Sequence, residues 1–208
     1  IHDNAFRDCQ GYITFEKSEY KNGLIIGQYA FAGCKKLKEL PDDIGLRRIS
    51  TGTFMDCTSI EEIPESLTEV NDLVFSGCIN VKKLPSKLRN VGKRAFEGCI
   101  NITTIPQGIE TIAEQAFLNC TNLREITVGK NFGKIASNAF EGCPLERINI
   151  QLDTKMLSHD LYHCNNLKHY YINGTLPIKK LVNGVNFYRK NNNWISAIDL
   201  GEEEDSIV

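Results

Sequence analysis

Apolar positions along this chain recur at fixed distances from a repeated cysteine, with polar residues between them. The cysteines stand at 9, 34, 57, 78, 99, 120, 143 and 164, giving intervals of 25, 23, 21, 21, 21, 23 and 21 residues. Three residues before each lie Phe6, Phe31, Phe54, Phe75, Phe96, Phe117, Phe140 and then Leu161. Eight before each stand Ile1, Ile26, Ile49, Val70, Val91, Ile112, Ile135 and Met156. Three after come Tyr12, Leu37, Ile60, Val81, Ile102 and Leu123, and three further on Phe15, Leu40, Ile63, Leu84, Ile105 and Ile126. Pro144 shortens the seventh interval, so Leu145 and Ile148 arrive one place early, and the beat returns at Leu167 and Tyr170.

No single unit holds enough apolar residues to bury its own face. Stacking the units makes each slot a continuous internal column, which is how repeat proteins build a core. The period of 21–25 lies within the range of a leucine-rich repeat. Leu123, Ile126 and Val128 followed by Asn131 match the L-x-x-L-x-L-x-x-N spacing of its strand. Alternation there sends Ile126 and Val128 inward and leaves Glu125 and Thr127 outside. In the four units from Cys34 to Cys120 a proline follows the second apolar slot. Proline cannot donate to a ladder, so these strands should be very short and end at Pro41, Pro64, Pro85 and Pro106.

The unit C-x-x-L-x-x-I-(P)-x-x-I-x-x-I-x-x-x-A-F-x-x-C resembles the BspA-like leucine-rich repeat family of surface proteins. The resemblance covers residues 1–171 in about eight units. It implies an α/β-type repeat solenoid, a right-handed superhelix with short parallel strands. Departures are the proline-ended strands, the "SEYKNG" insertion in the first interval, and Leu161 in place of Phe. From residue 172 the beat fades, and 172–208 is expected to be a degenerate C-terminal cap and acidic tail. Within it, "VNFYRKNNNWISAI" reads as a hairpin turning at asparagines. The chain starts partway through a unit, which predicts a trimmed fragment.

Eight cysteines raise the questions of disulfides and of zinc. Structural zinc takes cysteine pairs two to four residues apart, whereas no two here are closer than 21. One cysteine per coil predicts a column of parallel side chains at a ladder spacing of about 5 Å. Such thiols are small buried apolar groups that bond weakly to backbone. Phe31, Phe54, Phe75, Phe96, Phe117 and Phe140, with Cys34, Cys57, Cys78, Cys99, Cys120 and Cys143, are therefore read as structural core. His159, His163 and Cys164 form one cluster of metal-ligand types, without a clear fourth ligand. Asn101, Asn119 and Asn173 begin glycosylation-type triplets, two of them by-products of the repeat.

No nucleophile elbow, phosphate loop or zinc-protease motif is present, so the chain is read as non-catalytic, without cofactor, metal or small-molecule substrate. A formal net charge of -2 offers no global field for nucleic acid, and no apolar run reaches membrane-spanning length. Function then falls to the outward strand positions, expected to stack into one ribbon for a protein partner. Before the second apolar slot stand Glu39, Glu62, Lys83, Thr104, Glu125, Arg147 and His169. After it come Pro41, Pro64, Pro85, Pro106, Thr127, Asn149 and Tyr171, so the ribbon should begin acidic and proline-lined. Tyrosine and arginine, common in interface hot spots, place the contact on its C-terminal half. The family resemblance implies adhesion at a cell surface or outside the cell. A structural segment of a virion fibre or secretion appendage is the alternative, and reduced thiols suit a cytoplasmic setting as well.

Overall fold

The computed structural model describes residues 1–15, 25–40, 49–129, 131–136, 138–151, 169–173, 179–182, 185–190 and 193–196. Successive units coil over one another through parallel strands. β1 (Glu69–Val70), β2 (Asn90–Val91), β3 (Thr111–Ile112) and β5 (Lys134–Ile135) form one sheet, ordered β1-β2-β3-β5. β4 (Glu125–Val128), β6 (Arg147–Gln151) and β7 (His169–Asn173) start a second, parallel to one another. β8 (Lys179–Val182), β9 (Val185–Lys190) and β10 (Asn193–Ser196) complete it in antiparallel fashion, in the order β4-β6-β7-β10-β9-β8. The asparagine-rich segment thus lies between β9 and β10, which pair antiparallel from Lys190↔Asn193.

The first sheet carries the column eight residues before each cysteine. Its strands are two residues long, each one polar residue followed by one β-branched residue. Val70, Val91, Ile112 and Ile135 point into the core, while Glu69, Thr111 and Lys134 face out.

Proline sets the length of the other strands. Beside Pro64 and Pro85 the ladder shrinks to a single parallel bridge, Glu62↔Lys83. Where Thr127 and Asn149 replace proline, the missing N–H is restored and the strands run for four and five residues. The outward placement expected of the prolines does not hold: Pro64 and Pro85 are buried and Pro106 is partly so. Each begins a turn in which its carbonyl accepts from the N–H three residues on, as Pro64 does from Leu67 at 3.1 Å. That turn carries the chain inward and delivers Leu67 and Leu88 to the core. Pro41 lies outside the described residues.

The third limb of each coil is the Phe-x-x-Cys segment, built from turns; among the described residues there is no helix. Here the N–H groups donate forward to the next coil: Phe54 to Val74 O at 3.0 Å, Phe75 to Ala95 O at 2.9 Å, Phe96 to Ala116 O at 2.8 Å. Strand-side N–H groups donate backward, as Gly92 does to Val70 O at 2.7 Å. Coil junctions are therefore held by bonds running in both senses, which give the backbone groups of the turn limb and the strand limb their partners.

Inside, the phenylalanines form one stack. Phe31, Phe54, Phe75, Phe96, Phe117 and Phe140 lie at 5.4–5.7 Å between ring centroids, with interplanar angles of 7–15°. These six are 0–1% exposed, whereas Phe6 at the N-terminal end is 44% exposed and stacks only on Phe31. Each buried cysteine donates Sγ–H to the carbonyl of the preceding coil's phenylalanine: Cys34 to Phe6, Cys57 to Phe31, Cys78 to Phe54, Cys99 to Phe75, Cys120 to Phe96 and Cys143 to Phe117, at 3.0–3.2 Å. The two columns are thus interlocked. A thiol in one coil satisfies a backbone acceptor beneath the ring of another.

Candidate functional site

The outward ribbon is built where the second sheet and the Glu62↔Lys83 bridge run across the coils. Glu125, Arg147 and His169 stand in register as partners, and so do Thr127, Asn149 and Tyr171. Glu39, Glu62, Lys83, Thr104, Glu125 and Arg147 are all exposed. The side chains of His169 and Tyr171 lie outside the described residues, as do His159, His163 and Cys164.

The structure adds charge pairing to this surface. Lys82 meets Glu61 at 3.5 Å, Lys83 meets Glu65 at 3.3 Å, Arg124 meets Glu146 at 3.3 Å and Arg147 meets Glu125 at 3.6 Å, each pair bridging two coils. Glu65 also accepts from the N–H and the hydroxyl of Ser86, both at 2.8 Å. The Ser86 N–H, then its hydroxyl and Lys83, hold the Glu65 carboxyl below the usual carboxylate range. Within the ribbon, Lys83, Glu125 and Arg147 are thus compensated across coil junctions. Thr103 and Thr104 interrupt it with an exposed, uncharged rung.

On the first sheet, Thr111 donates its hydroxyl to Asn90 Oδ1 at 2.7 Å, and Asn90 donates to Glu69 Oε1 at 3.2 Å. This polar ladder was hidden in the sequence, although the letter pairs EV, NV and TI, each ending five residues before a phenylalanine, carry its signal.

The turn limb carries two columns of left-handed backbone. Five residues before cysteine, Tyr29, Leu73, Arg94 and Gln115 have φ of 52–60°; one residue before, Asp8, Asp56, Asn119, Gly33, Gly77, Gly98 and Gly142 have φ of 57–74°. The second column uses only the types that tolerate this region. That restriction is visible in the letters and went unread in the periodicity. Beside it opens a trough of about 740 Å3, with Gly77 and Gly98 in its lining and Asp56, Ser76, Arg94 and Glu97 around them.

The thiols are chemically quiet. The seven described cysteines are free, and all but Cys9 are buried. Burial pushes the Cys57 thiol up to about 12 and raises Cys34, Cys78 and Cys99 as well; Cys120 is raised first by the neighbouring Cys143 thiol and then by burial. A nucleophilic or ligating cysteine needs the thiolate, which these sites oppose. Among the described residues, no three His, Cys, Asp or Glu side chains gather as a metal would require, and no helix is long and apolar enough to cross a membrane.

Residues 1–105, 47–168 and 100–189 match the family described as BspA type Leucine rich repeat region, in six copies. No curated protein matches the sequence. A leucine-rich repeat protein from Bacteroides ovatus aligns at 30% identity with a TM-score of 0.53, over 73% of this chain and 40% of its own. The leucine-rich repeat protein of T. pallidum aligns at 25% identity with a TM-score of 0.53, over 62% of this chain and 65% of its own. The chain thus spans less than two thirds of the length of either.

Proposed function

The chain belongs to the BspA-type leucine-rich repeat family, and from that membership we propose a non-catalytic protein-binding module that adheres at a cell surface. The binding face is the ribbon, weighted to its C-terminal half at Glu125, Arg147, His169 and Tyr171. One observation carries this reading: the register Glu125↔Arg147↔His169 brings residues of different chemistry from successive coils onto one rigid strand face. Such preorganised faces bind without first ordering a loop. Partners are host, matrix or cell-surface proteins. Residues 172–208 act in this scheme as the cover of the solenoid's last coil.

The test is solid-phase binding of the 208-residue chain to immobilised matrix proteins and to intact cells. The parent is compared with the Arg147→Ala, Tyr171→Ala double variant. Loss of binding with unchanged urea unfolding supports the ribbon. Equal binding by parent and variant, or none by the parent, defeats it.

A further inference from the structure

The glycines one residue before cysteine follow a rule. Over Gly33 lies the Asp8 carboxylate, over Gly77 that of Asp56, and over Gly142 the Asn119 carboxamide; in each pair Oδ1 occupies the place a Cβ on the glycine would take. An Asp or Asn in one coil thus requires glycine in the next. Read along the chain, the slot runs Asp8, Gly33, Asp56, Gly77, Gly98, Asn119, Gly142, so the alternation slips once. Gly98 follows a glycine, and the nearest atom to its Cβ position is the Gly77 Cα at 4.0 Å. The place filled by a carboxylate or carboxamide oxygen in three other junctions is vacant here, and it opens into the trough.

Arg94 gives this vacancy a charge. Its Nε is buried and has no hydrogen-bond partner among the described residues; Glu97 Oε2 stands 3.3 Å away without the alignment of a hydrogen bond. Glu97 is also held by the Ser76 hydroxyl at 3.4 Å, so it keeps a partner if the guanidinium turns away. Arg7, on the same face, is engaged by Asp8 at 3.7 Å and by the Tyr29 ring. Both arginines stand beside a carboxylate, but the buried Arg94 Nε lacks an aligned acceptor and so has a hydrogen bond left to make; a guanidinium pairs best with a carboxylate. Gly98, with no side chain over it, lets another main chain approach closely.

We propose that the trough over Gly98 is a docking site for an extended segment of a protein partner, whose aspartate side chain fills the vacant position and pairs with Arg94. The site lies on the turn limb, apart from the strand ribbon, and does not depend on it. A short side chain is specified because Asp8, Asp56 and Asn119 fill the equivalent places.

The experiment is a titration of the isotopically labelled 208-residue chain with the peptide acetyl-Gly-Gly-Asp-Gly-Gly-amide, read by nuclear magnetic resonance, with Asn and Ala versions as controls. The Asp peptide should shift the Gly77 and Gly98 amides and the Arg94 Nε–Hε signal. The Asn peptide should bind about tenfold more weakly, because the charge-assisted bond is lost, and the Ala peptide should leave these signals in place. Gly98→Ala puts a methyl group where the aspartate oxygen belongs and should abolish the shifts; Arg94→Gln should weaken binding about tenfold and serves if the glycine variant misfolds. Absence of shifts with the Asp peptide, equal shifts with the Ala peptide, or binding that survives both substitutions overturns the proposal.

Discussion

Cutting Phe96 to alanine removes a ring held between two others. It lies 5.7 Å from the Phe75 ring and 5.5 Å from that of Phe117, and it is 0% exposed. Truncating a buried phenylalanine costs about 3–5 kcal/mol, and each lost ring pair is worth about 0.5–1.5 kcal/mol within that sum. Two neighbours and full burial place Phe96→Ala at about 4–5 kcal/mol. Phe6→Ala is the internal control. That ring is 44% exposed and has one stacked partner, at 5.2 Å, so the loss should be about 1–2 kcal/mol. Urea unfolding followed by far-ultraviolet circular dichroism separates the two. With a slope of about 2 kcal/mol per molar, the midpoint should fall about 2 M for Phe96→Ala and less than 1 M for Phe6→Ala. Because coils touch only their neighbours, the Phe96 variant should also unfold less cooperatively as its two halves uncouple. A midpoint shift for Phe96→Ala no larger than that for Phe6→Ala would refute the load assigned to the column.

Alkali should destabilise the fold through its thiols. The buried Cys57 keeps its proton up to about 12 against an ordinary 9.0, so its contribution is complete below pH 9 and is lost as pH rises through that window. The slope approaches about 1.4 kcal/mol per pH unit for one thiol, and Cys57→Ala should flatten the pH dependence of the urea midpoint by that share; an unchanged slope contradicts the burial. In the native chain at neutral pH, Cys9 should react with Ellman's reagent before the six buried cysteines, and all eight should titrate after denaturation without reductant. Gly77→Ala and Gly98→Ala share the cost of a left-handed backbone, about 1 kcal/mol. Only the first drives a methyl group into Asp56. Thermal melts should place Gly77→Ala below Gly98→Ala, and equal melting would remove the packing rule.

The stack of Phe31 to Phe140 and the inert thiols beside it could be read from the letters alone. In a solenoid the neighbours of Phe96 are Phe75 and Phe117, copies of itself one period away. A repeated slot therefore names its own environment, and the apolar content of the slot states that it is inside. The same logic placed Glu125, Arg147 and His169 in one register, and the prolines correctly limited the strands they end. Their own burial was missed, since only the turn that each one starts shows which way the chain bends.

Other features escaped because they depend on unlike residues in adjacent coils. Two-residue strands such as Asn90–Val91 have no period to detect. The union of Lys83 with Glu65, 18 positions apart in sequence, arises from the offset between one coil's strand and the previous coil's turn. The vacancy over Gly98 is written as a second glycine, yet it has meaning only because the side chain of Asp56 reaches forward onto Gly77. Periodicity determines an interior in which like meets like. On the surface unlike side chains meet across a coil junction, and their pairing is set by coil pitch and offset, which the order of residues does not spell out.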